Sequence, residues 1–144
     1  MEPKTANETP ANASHVGSHA IRRLSTEHPC MSQIVIRGDI VYLSGQTCPS
    51  ALGEQEDTSG TVAGQTKAIL ERIDRLLAQA GTDKTHILTA NVWLKDIAAD
   101  FEAMNEVWTS WIDPDNKPVR ATMQATLCSP EMLVEIQITA ALPK

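Results

Sequence analysis

Apolar and β-branched residues first gather in two short runs of strand length, residues 33–37 and 40–44. The pair Gly38-Asp39 lies between them and suits the tight turn of a hairpin. Gly45 follows the second run and predicts its end, because glycine is depleted from strand interiors. This pattern predicts a β-hairpin in the first third of the chain.

The longest periodic segment is Val62–Ala80, where apolar residues recur every three or four positions. That spacing is typical of one face of a helix, and Gly81 lies where a C-terminal cap belongs. Residues 49–60 are rich in Pro, Gly, Asp, Ser and Glu, which indicates an exposed loop with the helix start at residues 57–59. We therefore expect a loop followed by a long amphipathic helix.

A strand and a second helix are predicted next. Ile87–Leu94 is rich in β-branched and aromatic residues and ends at Lys95-Asp96. Asp100 is placed to cap a helix that Pro114 stops. The apolar stripe of this helix keeps spacings of three and four, and we interpret it as core. Its members are Phe101, Met104, Val107, Trp108 and Trp111.

The last two apolar runs, residues 119–127 and 132–140, are separated by four turn-forming residues and predict a closing hairpin. The strands and two helices, with too few crossovers for a wholly parallel sheet, predict an α+β fold with both helices on a single face of one mixed sheet. Residues 1–20 contain almost no large apolar side chain and are expected to form a flexible tail. Residues 21–144 would then form a single domain.

Polar and apolar residues alternate in this final hairpin, and successive residues of a strand point to opposite faces. If Leu127 pairs with Met132, one parity forms a polar face directed away from the helices. Its members are Arg120, Thr122, Gln124 and Glu135. One explanation of this pattern is that the face is open to water, as in many antiparallel sheets. Packing against other copies of the chain also explains it, and would make Arg120 a buried receptor for a carboxylate.

Charge and cysteine content narrow the functional classes. The 144 residues include 12 basic and 18 acidic side chains, and the net charge of −6 disfavours binding to nucleic-acid phosphates. Three cysteines without a CxxC pair indicate neither a disulfide framework nor a zinc ribbon. No stretch approaches the ~20 apolar residues of a membrane span, so we expect a cytoplasmic protein without a membrane partner.

Several separated motifs occur in order: Tyr42-Leu-Ser-Gly-Gln46, Val92-Trp-Leu-Lys-Asp96, Asp100-Phe with Met-Asn105, and Pro118-Val-Arg-Ala-Thr122 followed by Val134-Glu-Ile136. Together they resemble the YjgF/Rid (reactive intermediate deaminase, RidA-like) family over residues 31–141. The resemblance implies a chorismate-mutase-like fold and a homotrimeric barrel with an active site at each subunit interface. It also implies that no cofactor or metal is needed.

Two residues are central to the implied site. By position, the resemblance assigns Arg120 to the substrate carboxylate and Glu135 to the attacking water. Glu135 could instead form a structural salt bridge with Arg120. Ser44 and Gly45 would line the cleft, although they also suit a strand end and its turn. Asn105 matches an asparagine of the second helix, and bonding to helix backbone or water explains it as well.

Two positions depart from the family pattern. Thr122 stands where many members have a cysteine, whose backbone is the part implicated in holding the ligand. Met31 stands where members of the deaminase subgroup have a tyrosine.

The function that the resemblance implies is hydrolysis of reactive 2-imino or 2-enamino acids to 2-keto acids and ammonia. This is an enamine/imine deaminase activity of the 2-iminobutanoate/2-iminopropanoate type. The alternative is a non-catalytic regulatory trimer that binds keto acids, which the departure at Met31 favours. RNA cleavage, a label attached to parts of the family, is disfavoured by the acidic net charge.

Overall fold

A computed structural model describes residues 20–48 and 60–144. Most of the predicted tail and most of the predicted loop lie outside these ranges, as does the predicted helix start at residues 57–59. No helix in the described ranges is both long and apolar enough to cross a membrane.

The described residues form one mixed sheet of six strands. These are β1 Ile21–Leu24, β2 Ile34–Arg37, β3 Ile40–Leu43, β4 Ile87–Leu94, β5 Val119–Gln124 and β6 Val134–Ala141. Their order in the sheet is β1-β2-β3-β6-β4-β5. Strands β4 and β5 are parallel, whereas the other neighbouring pairs are antiparallel. The predicted α+β class and mixed sheet are confirmed, as is the hairpin of β2 and β3 around Gly38.

Within the described residues, two long helices connect the strands. Helix α1, Val62–Ala80, begins after Thr61, whose side chain accepts a hydrogen bond from the Gly64 amide. Gly81 ends it with φ 92°, a left-handed conformation that favours glycine. Helix α2, Ile97–Trp111, begins one turn earlier than expected. Its N-cap is Asp96, which accepts from the Ala99 amide at 3.1 Å, so the prediction of Asp100 as the cap is wrong.

Both helices pack on the same face of the sheet, as predicted. The apolar stripe of α1 and the inward residues of β2, β3, β4 and β6 together form the core. Fully buried side chains include Ile34, Ile36, Ile69, Leu70, Ile73, Leu77, Leu94 and Ile136. Burial of each such aliphatic side chain stabilises the fold by about 1.5–3 kcal/mol.

The predicted closing hairpin is wrong. Strand β6 pairs with β3 and β4, and β5 pairs only with β4, so β4 separates the two final strands. The physical reason is the connection through α2, which lets β5 return parallel to β4 as a strand–helix–strand unit. Strand β1 was not predicted at all, because its exposed sequence Ile-Arg-Arg-Leu lacks strand alternation.

Candidate active site

Arg120 lies on the helix side of the sheet. In the parallel pairing it is opposite Ala90, a buried core residue of β4. Its guanidinium carbon lies 5.3 Å from the centroid of the Trp108 ring on α2. A cation over an indole face is attracted by the ring quadrupole, so Trp108 orients Arg120. The prediction that Arg120 points away from the helices is therefore wrong.

Two further predicted residues lie on β5 and α2, the elements that carry Arg120 and Trp108. Thr122 has the same parity as Arg120 on β5 and pairs with the core residue Val92. Asn105 precedes Trp108 by three positions on α2, and residues at that spacing share a helix face. We call Arg120, Thr122 and Asn105 the arginine half. Partial burial lowers the pKa of the Arg120 guanidinium by desolvation.

Glu135 lies on the opposite face of the sheet. It pairs with Trp93, which is three residues along β4 from Ala90, the partner of Arg120. Because successive residues of a strand point to opposite faces, an offset of three places the Glu135 and Arg120 side chains on opposite faces of the sheet. No salt bridge joins Glu135 to Arg120 in the described part of the chain. The alternation within each strand was predicted correctly, but the assumed pairing assigned β5 to the wrong face.

The Glu135 side chain crosses Gly45 closely. A Cβ added at Gly45 would lie 2.9 Å from Glu135 Oε1 and 3.2 Å from its Cδ, so only glycine leaves the carboxylate undisturbed. We call Ser44, Gly45 and Glu135 the glutamate half. Partial burial raises the pKa of the Glu135 carboxyl through desolvation. Among the described residues, this carboxylate has neither a hydrogen-bond nor an ion-pair partner.

A small polar network holds Ser44. The Ser44 hydroxyl donates to Gln33 Oε1 at 2.7 Å, and Gln46 Nε2 donates to the same oxygen at 2.9 Å. Gln46 is buried and also bonds to the Ser44 carbonyl at 3.1 Å. Its backbone exchanges two hydrogen bonds with Ile136 at 2.8 and 3.0 Å. Sequence reasoning missed both glutamines. Gln46 belongs to the Ser44-Gly45-Gln46 motif, whereas nothing in the sequence indicated Gln33.

A cavity of about 930 Å³ opens beside the glutamate half. Glu135 and Gly45 line it together with Met31, the position at which the resemblance led us to expect a tyrosine. Cys30 and Cys128, both exposed free thiols, also line it. Met31 therefore contacts the same space as the candidate water-activating carboxylate.

The two halves have complementary chemistry. The arginine half offers a planar cation with two parallel donors, suited to a carboxylate. The glutamate half offers a partly desolvated carboxyl group, suited to accept and return a proton. No cluster of three or more metal-binding side chains occurs within the described residues. Each half alone lacks the group that the other supplies.

Comparison with known sequences identifies a family. The model of the family described as endoribonuclease L-PSP matches residues 21–142. A RutC family protein from Haemophilus ducreyi is 40% identical over 111 residues, which covers 77% of this chain and 88% of that protein. RutC family protein YoaB from Escherichia coli K12 is 36% identical over 110 residues, which covers 76% and 89%.

Solved structures agree with these matches. A YjgF protein family member from Neisseria meningitidis superposes with a TM-score of 0.79 at 36% identity, over 88% of this chain and 98% of that chain. A Mycobacterium tuberculosis member of the YjgF/YER057c/UK114 family gives a TM-score of 0.73 at 23% identity, over 85% and 100%. The second likeness concerns the fold alone.

Proposed function

This chain belongs to the endoribonuclease L-PSP family, the YjgF/Rid family, and from that premise we propose that it hydrolyses reactive 2-imino and 2-enamino acids. The products are 2-keto acids and ammonia, and the compartment is the cytoplasm. The observation that carries the proposal is the partly desolvated carboxyl of Glu135, which has no ion-pair or hydrogen-bond partner among the described residues and is held over Gly45 beside an open cavity. A raised pKa makes this group a stronger base toward water once ionised.

Two copies of the chain would complete one site. Arg120 and Glu135 lie on opposite sheet faces, so one substrate contacts both only if each comes from a different copy. The sheet face away from the helices carries exposed apolar side chains at Tyr42, Val119 and Met123. A homotrimer that buries this face would bring the arginine half of one copy to the glutamate half of the next.

The proposed reaction begins with the protonated imine (iminium) form of the substrate, whose carboxylate is bound by the Arg120 guanidinium. Glu135 accepts a proton from water as the water oxygen bonds to C2, and the electron pair of the C=N bond moves to nitrogen. The Glu135 proton then passes to that nitrogen. The Glu135 carboxylate then accepts the hydroxyl proton as the C–N bond breaks, the C=O bond forms and ammonia departs. Glu135 finally releases this proton to water. An iminium carbon accepts water readily, so positioning and proton transfer suffice.

Imine hydrolysis can be measured directly. An amino-acid oxidase generates the imine of leucine in situ, and the formation of keto acid and ammonia is followed with and without the protein. We expect acceleration that falls about 100-fold or more in Arg120→Ala, because two charge-assisted hydrogen bonds are lost. Glu135→Gln should reduce the rate with little change in carboxylate binding.

Matched substitutions on exposed residues serve as controls. Arg37 ends β2 and Glu102 lies on the exposed side of α2, so Arg37→Ala and Glu102→Gln should leave the rate unchanged. An absence of acceleration by the wild type, or equal losses in the control variants, contradicts the proposed reaction.

Met31 favours a second candidate function, a regulatory trimer that binds keto acids without turnover. Its thioether lies beside the glutamate half and cannot donate a hydrogen bond to substrate or water. Titration of keto acids by calorimetry distinguishes the two functions. Binding that depends on Arg120, without acceleration of imine hydrolysis, would favour the binder.

The family description also names an endoribonuclease, and RNA cleavage has a separate test. The net charge of −6 opposes RNA binding. We expect no RNA affinity at moderate salt. RNA binding that weakens steeply as the salt concentration rises would support RNA cleavage as the function.

A further inference from the structure

The cavity beside Glu135 has an apolar and sulfur-rich wall. Its members come from the loop after β1, from α1 and from the loop before β6. They are Cys30, Met31, Leu76, Cys128 and Met132. Leu76 and Met132 are buried, whereas Met31 keeps 47% of its surface exposed. Thioether and thiol side chains are polarisable, and methionine adapts its shape to apolar groups.

Charged groups in the same wall disfavour anions near Glu135. Glu27 and Glu135 both line the cavity and repel a carboxylate. Two other members of the wall are basic or titratable. Arg72 already has an interaction partner, and His28 Nδ1 accepts a hydrogen bond from the Cys30 amide at 3.0 Å. The wall thus combines apolar contacts and two carboxylates with Arg72 and the neutral polar residues Ser25, Gln33, Gln46 and Thr47.

We propose that this cavity receives the substrate side chain and selects apolar side chains of leucine or methionine size, with Met31 as the specificity-determining residue. The inference rests on the proposed function, since it concerns the same site. When C2 of the substrate lies at Glu135, the substrate carboxylate extends toward the arginine half of the neighbouring copy. The side chain is then directed into the cavity, against the exposed thioether of Met31.

The size and chemistry of the cavity predict an order of substrates. Its volume of about 930 Å³ exceeds that of any amino-acid side chain, so size alone excludes none of them. A methyl group leaves the apolar wall uncovered, whereas leucine and methionine side chains contact it. A glutamate side chain brings a third carboxylate to Glu27 and Glu135. We expect kcat/KM for the leucine imine to exceed that for the alanine imine about tenfold, with the glutamate imine lowest.

Substitutions at Met31 test its role. Met31→Ala should reduce the preference for the leucine imine over the alanine imine to about twofold. The change should come mainly from a lower kcat/KM for the leucine imine, because its side chain loses the contact with Met31. Met31→Leu should restore most of the preference. Ile21→Ala is the matched control, since Ile21 is a similarly exposed apolar residue at the start of β1 and does not line the cavity. The ratio is measured within one enzyme, so a uniform loss of folded protein does not alter it.

Binding of stable keto acids separates this inference from the proposed function. Pyruvate, 4-methyl-2-oxopentanoate and 2-oxoglutarate are titrated into wild type and both Met31 variants. A preference for 4-methyl-2-oxopentanoate that Met31→Ala removes supports the cavity assignment even if no imine is hydrolysed. Imine hydrolysis without preference for leucine, or a preference unchanged in Met31→Ala, overturns the assignment and leaves the proposed function intact.

Discussion

The arginine half and the glutamate half are held in place by different interactions. Arg120 lies on the edge strand β5 and is oriented by the ring of Trp108, a contact between side chains. Ser44 and Gly45 lie beside the central strand β6 and are held by the side chains of Gln33 and Gln46 and by backbone bonds to Ile136.

This difference has a consequence for tolerance to change. Packing depends on volume and shape, whereas a buried hydrogen-bond network depends on the presence of every partner. The arginine half should therefore tolerate conservative aromatic replacements, and the glutamate half should not tolerate apolar ones.

The largest expected effect is at Trp108. Trp108→Ala removes a core side chain that is only 6% exposed, together with the ring under Arg120, and should lower the free energy of unfolding by about 3–5 kcal/mol. Trp108→Phe should cost less and keep an aromatic face for the guanidinium. Denaturant unfolding at fixed protein concentration measures both variants. A loss below about 1 kcal/mol in Trp108→Ala would show that packing does not hold this half.

A substitution at Gln46 tests the hydrogen-bond network that holds the glutamate half. Gln46→Leu keeps a similar volume but leaves Ser44 and Gln33 without their shared donor, which should cost about 1–3 kcal/mol. The exposed Gln79 accepts a single bond from Ser25, so Gln79→Leu should change stability by less than about 0.5 kcal/mol. Equal effects of the two substitutions in thermal unfolding would contradict a structural role for the network.

A substitution at Gly45 distinguishes the position of the Glu135 carboxylate from the stability of the fold. In Gly45→Ala the new Cβ would meet the end of the Glu135 side chain at 2.9 Å, and that flexible end can shift cheaply. We expect stability to change by less than about 0.5 kcal/mol. The rate of imine hydrolysis should fall about tenfold, because the carboxylate moves from its position. A rate equal to that of the wild type would remove Gly45 from the site, and Gly60→Ala, where a Cβ meets nothing within 4 Å, is the control.

The smallest expected effect is a pH dependence of stability. Partial burial raises the pKa of Glu135 in the folded state, so the folded state retains its proton to higher pH than the unfolded chain does. This contribution is fully present below the unfolded pKa and is lost as pH rises through the folded pKa. Glu135→Gln should therefore raise the unfolding temperature at neutral pH, and the gain should vanish in acid. A gain independent of pH would assign the effect to packing.

Local patterns predicted most elements of the fold. The spacing of apolar residues predicted α1 and its glycine cap, and β-branched residues predicted Ile87–Leu94 with its observed bounds. These signals succeed because helix and strand periods are properties of neighbouring residues. Strand β1 gave no such signal, since its Ile-Arg-Arg-Leu sequence is mostly exposed at a sheet edge.

The sequence supplied candidate residues for the site, but the arrangement assumed for their strands was wrong. Motif resemblance selected Arg120 and Glu135, and alternation correctly grouped Arg120 with Thr122. The prediction that Arg120 and Glu135 share a face was wrong, because apolar residues of β5, such as Met123, point away from the helices and remain exposed. Hydrophobicity distinguishes two faces of a strand, but it cannot tell the core of one chain from a surface that other copies could cover.

The sequence by itself determined the helices, most of the strands, the family and the candidate residues of the site, because each depends on local order along the chain. The tertiary structure alone decided that β4 separates β5 from β6, and hence that Arg120 and Glu135 lie on opposite faces. It also brought Met31 to the cavity beside Glu135. Strand partners are chosen by contacts between residues distant in sequence, and the period within each strand is the same whichever partner is chosen.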